Sequence, residues 1–161
     1  MYTNACSIVG KMDELRYVAQ NEDYSIIGIS ETWANESISD AELHIDGYTL
    51  FRKDRMSMSQ RRGGGVALFV KDTLRPRQPS SKLETSKFEE SVWCTVEFAD
   101  TSLLIGVCYR STSSPDDNND KLLELLQMAA EESRSSQLLL MDDFNHPEIN
   151  YDEYTVSTGD D

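Results

Sequence analysis

Apolar and polar residues alternate along this chain with two different periods, and the period changes from one segment to the next. Apolar residues at helical spacing predict one helix over residues 11–20 and a second around residues 122–129. Short apolar runs and strict two-residue alternation predict strands between and after these helices. The predicted strands span residues 2–8, 25–30, 47–53, 65–70, 91–98, 102–109 and 137–141.

The order of these elements indicates the fold class. A strand–helix–strand unit comes first, hairpins follow in the middle, and a helix and a strand come last, which is typical of a mixed α/β layered fold. Ala99-Asp100 is short enough to connect the two strands of a hairpin. The final apolar run, 137–141, reads as a buried strand. We expect the whole chain, residues 1–161, to belong to one domain.

Three consecutive glycines, Gly63 to Gly65, could suggest a phosphate-binding loop. A P-loop requires a Lys-Ser/Thr pair and then a helix, whereas here a predicted strand follows directly. The glycines therefore predict a tight hairpin that needs a permissive backbone.

The composition narrows the class of protein. The chain is 39% hydrophobic and has no run of about 20 apolar residues, so we expect no membrane partner. Its start lacks the basic and then apolar pattern of a signal peptide. The three cysteines, Cys6, Cys94 and Cys108, are odd in number and too widely spaced for a zinc site. They indicate free thiols in a reducing compartment, hence an intracellular protein, nuclear or cytoplasmic.

The charge argues against easy contact with nucleic acid. Lys and Arg number 15 and Asp and Glu 29, which gives a net charge of −14. Such a surface repels phosphate unless basic residues are gathered locally or a divalent cation intervenes. A gathered set does exist at Arg52, Lys53, Arg55, Arg61 and Arg62. An ordinary solvated surface is the simpler explanation of this asymmetry.

Polar side chains that could carry out chemistry lie within or directly after several of the predicted strands. They are Asn4, Glu31, Tyr109, Asp143 and Asn145. In layered α/β folds, ligand sites gather at the carboxyl ends of strands. Carboxylate and amide oxygens favour Mg²⁺ or Mn²⁺, and an Asp can orient water while an Asn donates to an oxygen that gains charge. Each feature alone is more often structural, but together they indicate phosphodiester hydrolysis.

Eight short motifs occur along the chain in a definite order. They are Tyr-Thr-Asn-Ala-Cys-Ser at 2–7, Lys11 with Asp-Glu-Leu at 13–15, Ile-Ser-Glu-Thr-Trp at 29–33, Gly-Tyr-Thr-Leu-Phe-Arg-Lys-Asp-Arg at 47–55, Gly-Gly-Gly-Val-Ala-Leu-Phe-Val at 63–70, Glu-Ser-Val-Trp at 90–93, Val-Cys-Tyr-Arg at 107–110 and Met-Asp-Asp-Phe-Asn-His-Pro at 141–147. In this order they resemble the endonuclease/exonuclease/phosphatase superfamily, and within it the apurinic-type endonuclease domain of non-LTR (LINE-like) retrotransposons. The resemblance implies part of a four-layer α/β sandwich of the DNase I type, with the site between the tops of two sheets.

The resemblance also implies a role for each polar residue. Glu31 corresponds to the metal-binding Glu, which would hold Mg²⁺ or Mn²⁺, and Asn4 to an amide near the metal and the phosphate. Tyr109 corresponds to a residue that contacts the phosphate in the transition state. Asp143 corresponds to the Asp that orients the attacking water, and Asn145 to the amide that stabilises the developing charge.

The same resemblance implies which basic residues contact nucleic acid and which partners the domain has. Arg110 is expected to contact phosphate, and Arg52 and Arg55 the DNA backbone. DNA is the expected partner of the intact domain, with a fused reverse transcriptase in the full-length protein. Glu90 stands where these retroelement domains often carry an acid, with no chemistry assigned to it.

The sequence departs from the family pattern after the last motif. The family places a Ser-Asp-His segment well downstream, and the chain ends at Asp161 before such a segment occurs. We therefore expect the C-terminal strands of the fold to be missing, an apolar sheet edge to be exposed, and this chain alone to be inactive. Neither His44 nor His146 stands at the family position of the catalytic base.

Two substitutions also depart from the pattern. Cys6 stands where Arg is usual, and Asp142 where Gly is usual. Asp142 adds a second carboxylate beside Asp143, an arrangement that raises a pKa or disturbs the turn.

Two alternatives to a DNA-nicking endonuclease remain open. One is a non-catalytic remnant or binding module that keeps the fold without turnover, which the missing segment and the −14 charge favour. The other is a phosphatase of the same superfamily that acts on a small phosphoester, a substrate that an acidic surface tolerates better than DNA.

Overall fold

Two β-sheets lie at the centre of the structure, which is a computed structural model. The structure describes residues 1–55, 63–79 and 82–145 in full, and only the backbone of residues 81, 149–150 and 155–156. The first sheet contains β1 (Tyr2–Asn4), β2 (Ile26–Ser30), β3 (Tyr48–Lys53) and β4 (Val66–Lys71), in the spatial order β1-β2-β4-β3. The second contains β5 (Ser91–Glu97), β6 (Ser102–Tyr109) and β7 (Gln137–Asp143), in that order. A separate hairpin pairs β8 (Ile149–Asn150) with β9 (Thr155–Val156).

The two long helices form where the apolar spacing predicts them, whereas a further single helical turn was not predicted. The helices are α1 (Met12–Asn21), the single turn α2 (Ser81–Glu84) and α3 (Asp116–Glu132), with short 3₁₀ turns at Val9–Lys11 and Asp72–Leu74. Each long helix buries one apolar stripe against a sheet, because residues three or four apart share a face. Acidic residues occupy the first turn of both long helices, where the helix dipole favours negative charge.

Three separate apolar clusters divide the fold into four layers. The first cluster joins α1 to one face of the first sheet, and includes Leu15, Ile29 and Phe69. The second fills the space between the sheets, where Leu68 and Val107 lie. The third joins the second sheet to α2 and α3; its members include Leu83, Trp93, Leu104, Leu122 and Leu125. The order helix, sheet, sheet, helix confirms the predicted α/β sandwich of the DNase I type.

The strand registers bring the predicted site residues to the same end of both sheets. β1 runs parallel to β2 with Asn4 opposite Ser30, so Asn4 lies beside the start of the segment that carries Glu31. β6 runs parallel to β7 with Tyr109 opposite Asp143. Since parallel strands end at one edge, each sheet contributes two of the four side chains to that edge.

The prediction that residues 137–141 form a strand is confirmed, but the prediction that this strand is buried is wrong: residues 137–139 are exposed, and Leu140 and Met141 are only partly buried. Leu138 is 41% exposed and Leu139 36% exposed on β7. Within the described part of the chain, β7 is the outer strand of its sheet, and only β6 pairs with it. An apolar strand at that position keeps one side in solvent, as expected for an apolar sheet edge.

The remaining expectations concern the cysteines and the membrane. Cys94 and Cys108 are buried free thiols, Cys6 is exposed, and burial raises the pKa of Cys94 to about 12. Among the helices that the structure describes, none combines the length and the hydropathy that crossing a bilayer requires.

Candidate active site

The carboxylate of Glu31 connects the two sheets at their shared edge. The Tyr109 hydroxyl, from the second sheet, donates a hydrogen bond to Oε1 of Glu31. Oε2 accepts from the Trp33 indole N–H and from the backbone N–H of Gly64, the latter at 2.9 Å. Tyr109 is only 5% exposed, so this arrangement has little freedom to move.

These contacts determine the charge state of Glu31. Partial burial would raise the pKa of Glu31, but the hydrogen bonds from Tyr109, Gly64 and Trp33 and the nearby Arg55 guanidinium outweigh it and lower that pKa. Burial and the hydrogen bond to Glu31 raise the pKa of Tyr109. At neutral pH Glu31 is therefore a carboxylate and Tyr109 a neutral donor.

The backbone around Glu31 adopts a conformation that side chains disfavour. Glu31 and Trp33 have φ values of 56° and 54°, in the left-handed region that costs a non-glycine residue about 1–2 kcal/mol. Backbone hydrogen bonds to two neighbouring segments hold this left-handed conformation. The Glu31 carbonyl accepts from the Ser7 N–H at 2.8 Å, and the Trp33 N–H donates to the Gly64 carbonyl at 2.9 Å. Strain of this kind, held by neighbouring structure, is typical of functional sites.

A second hydrogen bond between the sheets joins Asn4 to Asp143. The Asn4 Nδ2 donates to Oδ2 of Asp143 at 3.0 Å, while the Asn4 Oδ1 accepts from the Cys6 N–H at 3.3 Å. Because Asn4 has a donor on one side and an acceptor on the other, the orientation of its amide is determined. The Asn4 amide in turn fixes one carboxylate oxygen of Asp143 and leaves the other for a water or a substrate.

Asn145 does not share a side with Asp143 along an extended backbone. β7 ends at Asp143, and Asn145 has φ of 49°, so the strand geometry that would align the two head groups is lost. The Asn145 amide donates to the Arg110 carbonyl at 2.8 Å instead. Its proposed role toward the developing charge stays a prediction.

Arg110 is buried beside that turn and is 8% exposed. Its Nε donates to Oδ1 of Asn119 on α3 at 2.7 Å, and its Nη1 to the carbonyls of Phe144 and Asn145 at 3.3 and 3.0 Å. In this position Arg110 ties the turn after β7 to α3. The phosphate contact expected of it stays a prediction.

The two arginines expected to contact DNA both lie in ion pairs. Arg52 pairs with Asp40 at 3.0 Å and with Asp54 at 3.4 Å. Arg55 donates from Nε and Nη2 to the two oxygens of Glu90, at 3.1 and 2.7 Å. Arg61 and Arg62, from the same basic run, lie outside the described residues. The DNA contacts of Arg52 and Arg55 stay predictions.

His44, the histidine that the structure describes, pairs with an aspartate away from Glu31 and Asp143. His44 is exposed, and its Nε2 lies 3.1 Å from Oδ1 of Asp46. His146 lies outside the described residues.

The carboxyl group of Asp142 is buried without a well-formed hydrogen bond from the described residues. Both of its oxygens are shielded from solvent. Burial is the main cause that raises the pKa of Asp142 from 3.8 to about 8; the nearby backbone N–H of Asp143 partly opposes the rise, and the negative charge of Asp143 adds to it. The raised pKa anticipated for this pair of carboxylates therefore belongs to Asp142.

The donor set at Glu31 fits a small hard cation. A carboxylate offers about four lone-pair directions, and the described residues use three of those on Glu31, which leaves one on Oε1. Mg²⁺ commonly takes one or two protein carboxylates and completes its coordination with water and substrate phosphate. Among the described residues no group of three His, Cys, Asp or Glu side chains forms an all-protein metal cage. Glu31 would therefore hold such an ion from one side.

Several solved structures with this architecture are nucleases. The chain is similar to the AP endonuclease LMAP from Leishmania major (19% identity, TM-score 0.69, 98% of this chain and 58% of that chain). It is similar to the endonuclease domain of TRAS1, a telomere-specific non-LTR retrotransposon (14% identity, TM-score 0.64, 89% of this chain and 57% of that chain). It is also similar to an AP endonuclease from Archaeoglobus fulgidus (18% identity, TM-score 0.60, 94% of this chain and 60% of that chain).

This chain has the DNase I-like α/β fold of these solved structures. The resemblance inferred from the eight motifs is thus confirmed at the level of the fold. The chain spans about three fifths of the length of these solved structures. No protein-family profile matches the sequence, and comparison with curated protein sequences finds no match.

The partners of Glu31 include residues that sequence reasoning missed. Trp33 follows Glu31 in the third motif, but nothing in a pattern shows that its indole turns back onto the carboxylate. The Gly64 N–H reaches Glu31 from 33 residues away, through the turn between β3 and β4. The three glycines have φ between 78° and 111°, which confirms that the backbone here must be permissive. The predicted tight hairpin is wrong, because β3 ends at Lys53 and β4 begins only at Val66.

Removing the Tyr109 hydroxyl tests this description of Glu31. Tyr109→Phe deletes one donor to the carboxylate while the ring still fills its buried position, so we expect the pKa of Glu31 to rise. A ¹³C NMR titration of the Glu31 carboxyl measures it. Tyr17→Phe, an exposed tyrosine on α1, is the matched control and should leave the titration unchanged. An unchanged Glu31 titration in Tyr109→Phe would contradict the hydrogen bond.

Proposed function

We propose that this chain carries catalytic residues of a Mg²⁺-dependent phosphodiesterase that nicks DNA, in a retrotransposon-type protein. One observation supports this most: the Tyr109–Glu31 and Asn4–Asp143 hydrogen bonds join the two sheets at one edge. Four residues far apart in the chain thus form a single oxygen-rich site. The solved structures with this fold include AP endonucleases and a retrotransposon endonuclease domain, which supports DNA as the substrate class.

The proposed roles follow from the contacts of each residue. Asp143 would accept a proton from the attacking water through the carboxylate oxygen that Asn4 leaves unbonded. Asn4 holds the Asp143 carboxylate in one rotation, and Tyr109 does the same for Glu31, so both groups are oriented before substrate arrives. Mg²⁺, held by Glu31 when bound, would supply positive charge against the phosphate.

A divalent cation would also offset the negative charge that disfavours DNA binding. The net charge of −14 disfavours DNA, and Arg52 and Arg55 already pair with carboxylates. A cation at Glu31 would place positive charge where the phosphate must lie, in a site that is otherwise acidic. We therefore expect any DNA binding at the site to depend on Mg²⁺ and to weaken steeply with salt.

A second candidate is a binding module of the same fold that has no turnover. The position of His44 supports it, because this histidine pairs with Asp46 instead of joining the Asp143 cluster. Under this alternative the site binds a divalent cation and an anionic ligand without cleaving it.

Nicking of supercoiled plasmid in Mg²⁺ separates the two candidates. The nuclease predicts relaxed circles that EDTA prevents, above the background of a Glu31→Ala/Asp143→Asn double variant purified in parallel. Mg²⁺ binding by calorimetry without nicking would favour the binding module, and the absence of both would reject the proposed site. The coding sequence after Asp161 tests the retrotransposon assignment: a Ser-Asp-His segment followed by a reverse transcriptase supports it.

A further inference from the structure

Glu90 makes three contacts that converge on the partners of Glu31. Its Oε1 accepts from the backbone N–H of Gly65 at 2.9 Å, and its backbone carbonyl accepts from the Tyr109 N–H at 2.9 Å. Its side chain also forms the two-pronged ion pair with Arg55. Tyr109 and Gly64 are two of the residues that donate to Glu31. Glu90 therefore contacts Tyr109 directly and reaches Gly64 through its neighbour Gly65.

The Arg55–Glu90 pair is built into the structure and is not a surface contact. The side chain of Arg55 is 19% exposed and that of Glu90 13% exposed, with the closest N–O distance at 2.7 Å. Paired guanidinium and carboxylate groups in this parallel geometry are more directional than a single charge contact. A shielded pair of this kind holds its shape, whereas an exposed pair mostly does not.

The glycine turn is shaped around this pair. A Cβ at Gly64 would lie 2.3 Å from both Cζ of Arg55 and Oε1 of Glu90, and Gly64 has φ of 78°. Both observations require glycine at this position, because the backbone passes directly against the ion pair. The pair and the Gly64 N–H that reaches Glu31 therefore occupy one packed unit.

From these contacts we infer that Glu90 and Arg55 are positioning residues, a clamp that holds the Gly63–Gly65 turn and Tyr109 so that the Glu31 carboxylate is correctly oriented. Arg55 then serves the site from behind, in place of the DNA contact expected from its sequence position. This inference rests on the proposed function for its catalytic meaning, but the clamp itself is a property of the structure.

Glu90→Gln tests the clamp, since it keeps the shape of the side chain and removes its charge. We expect Mg²⁺ affinity to fall about 10- to 100-fold, the usual effect of removing a group that orients a metal ligand. We expect the nicking rate to fall while KM for DNA stays within about twofold, because the change affects orientation and not substrate contact. Arg55→Lys, which keeps the charge and loses the two-pronged geometry, should show a smaller loss in the same direction.

The titration of Glu31 separates positioning from simple electrostatics. Removing the negative charge of Glu90 without other change would lower the pKa of Glu31, because one like charge is gone. Loss of alignment of the Gly64 and Tyr109 donors would raise it. The clamp predicts a rise, measured by ¹³C NMR on the folded variant.

Asp54→Asn is the matched control, because it breaks the Arg52–Asp54 pair, whose two side chains are 17% and 18% exposed. It should leave Mg²⁺ affinity and the Glu31 titration unchanged, and thermal unfolding confirms that each variant is folded. Failure of the wild-type chain to nick would reject the proposed function, yet the Glu31 titration would still test the clamp. A Glu31 pKa in Glu90→Gln that falls, as loss of a like charge alone predicts, would overturn the clamp whether or not the wild type nicks.

Discussion

Glu31→Ala is expected to weaken Mg²⁺ binding about 30-fold, whereas Asp143→Asn should leave it within about twofold. The difference follows from the roles of the two carboxylates. Glu31 offers an unused lone pair to a cation, and loss of one charge-assisted contact costs about 2 kcal/mol, or about 30-fold. Asp143 is held by Asn4 and oriented toward water. Isothermal titration calorimetry with Mg²⁺ measures both affinities.

In contrast to Mg²⁺ affinity, the rate of nicking should depend strongly on Asp143. Asp143→Asn keeps an oxygen to accept from Asn4 and loses only the basic charge, so we expect the rate to fall about 10²- to 10⁴-fold, as for other general bases. Equal losses of Mg²⁺ affinity in the two variants would contradict the separate roles. A variant of Asp143 that nicks as fast as the wild type would remove this residue from the proposed mechanism.

Asp142→Asn is expected to stabilise the protein by about 3 kcal/mol at pH 8 and to have little effect near pH 4. The carboxyl of Asp142 is buried without a well-formed hydrogen bond from the described residues, which raises its pKa to about 8. Each unit by which folding raises the pKa corresponds to about 1.4 kcal/mol of lost stability. The expected effect is smaller than the full rise in the pKa of Asp142 would give, because the residue as a whole is only half-buried and solvent screens its charge.

The sign of this effect follows from proton binding. Between about pH 4 and pH 8 the folded protein keeps a proton on Asp142 that the unfolded chain has released. Stability is therefore lost as pH rises through this window, and it does not return above pH 8. Asn cannot ionise, so the variant should escape this loss. Urea unfolding at several pH values measures it; a difference that stays constant from pH 4 to pH 9 would contradict the assignment.

Secondary structure was largely predictable because it depends on local pattern. Leu122, Leu125 and Ala129 repeat at helical spacing, and α3 buries those residues. The alternation before and after Ala99-Asp100 correctly predicted the β5–β6 hairpin. The predicted burial of β7 was wrong, and Leu138 and Leu139 are exposed. Apolar character shows that a strand favours burial, but it does not show whether another element covers the strand.

The partners of the arginines were less predictable than the strands and helices that carry the site. Arg52, Arg55 and Arg110 stand where a basic side chain suits phosphate, but each has found a partner within the fold. A sequence shows that an arginine is present, whereas its partner depends on which acid or carbonyl the chain brings within about 3 Å. Nothing in the spacing of Arg55 and Glu90, 35 residues apart, indicates their pairing.

The sequence by itself determined the two long helices, most of the strands and their order, and it placed Glu31, Tyr109 and Asp143 at the carboxyl ends of strands. Strand ends can be read from periodicity because side chains alternate with a fixed repeat. Only the tertiary structure decided that these three residues and Asn4 meet in pairs across two sheets and that a turn of three glycines donates to Glu31. It also decided that the Asp142 carboxyl would be buried without a well-formed hydrogen bond from the described residues, because hydrogen bonds and burial depend on distances in space between residues far apart in the chain.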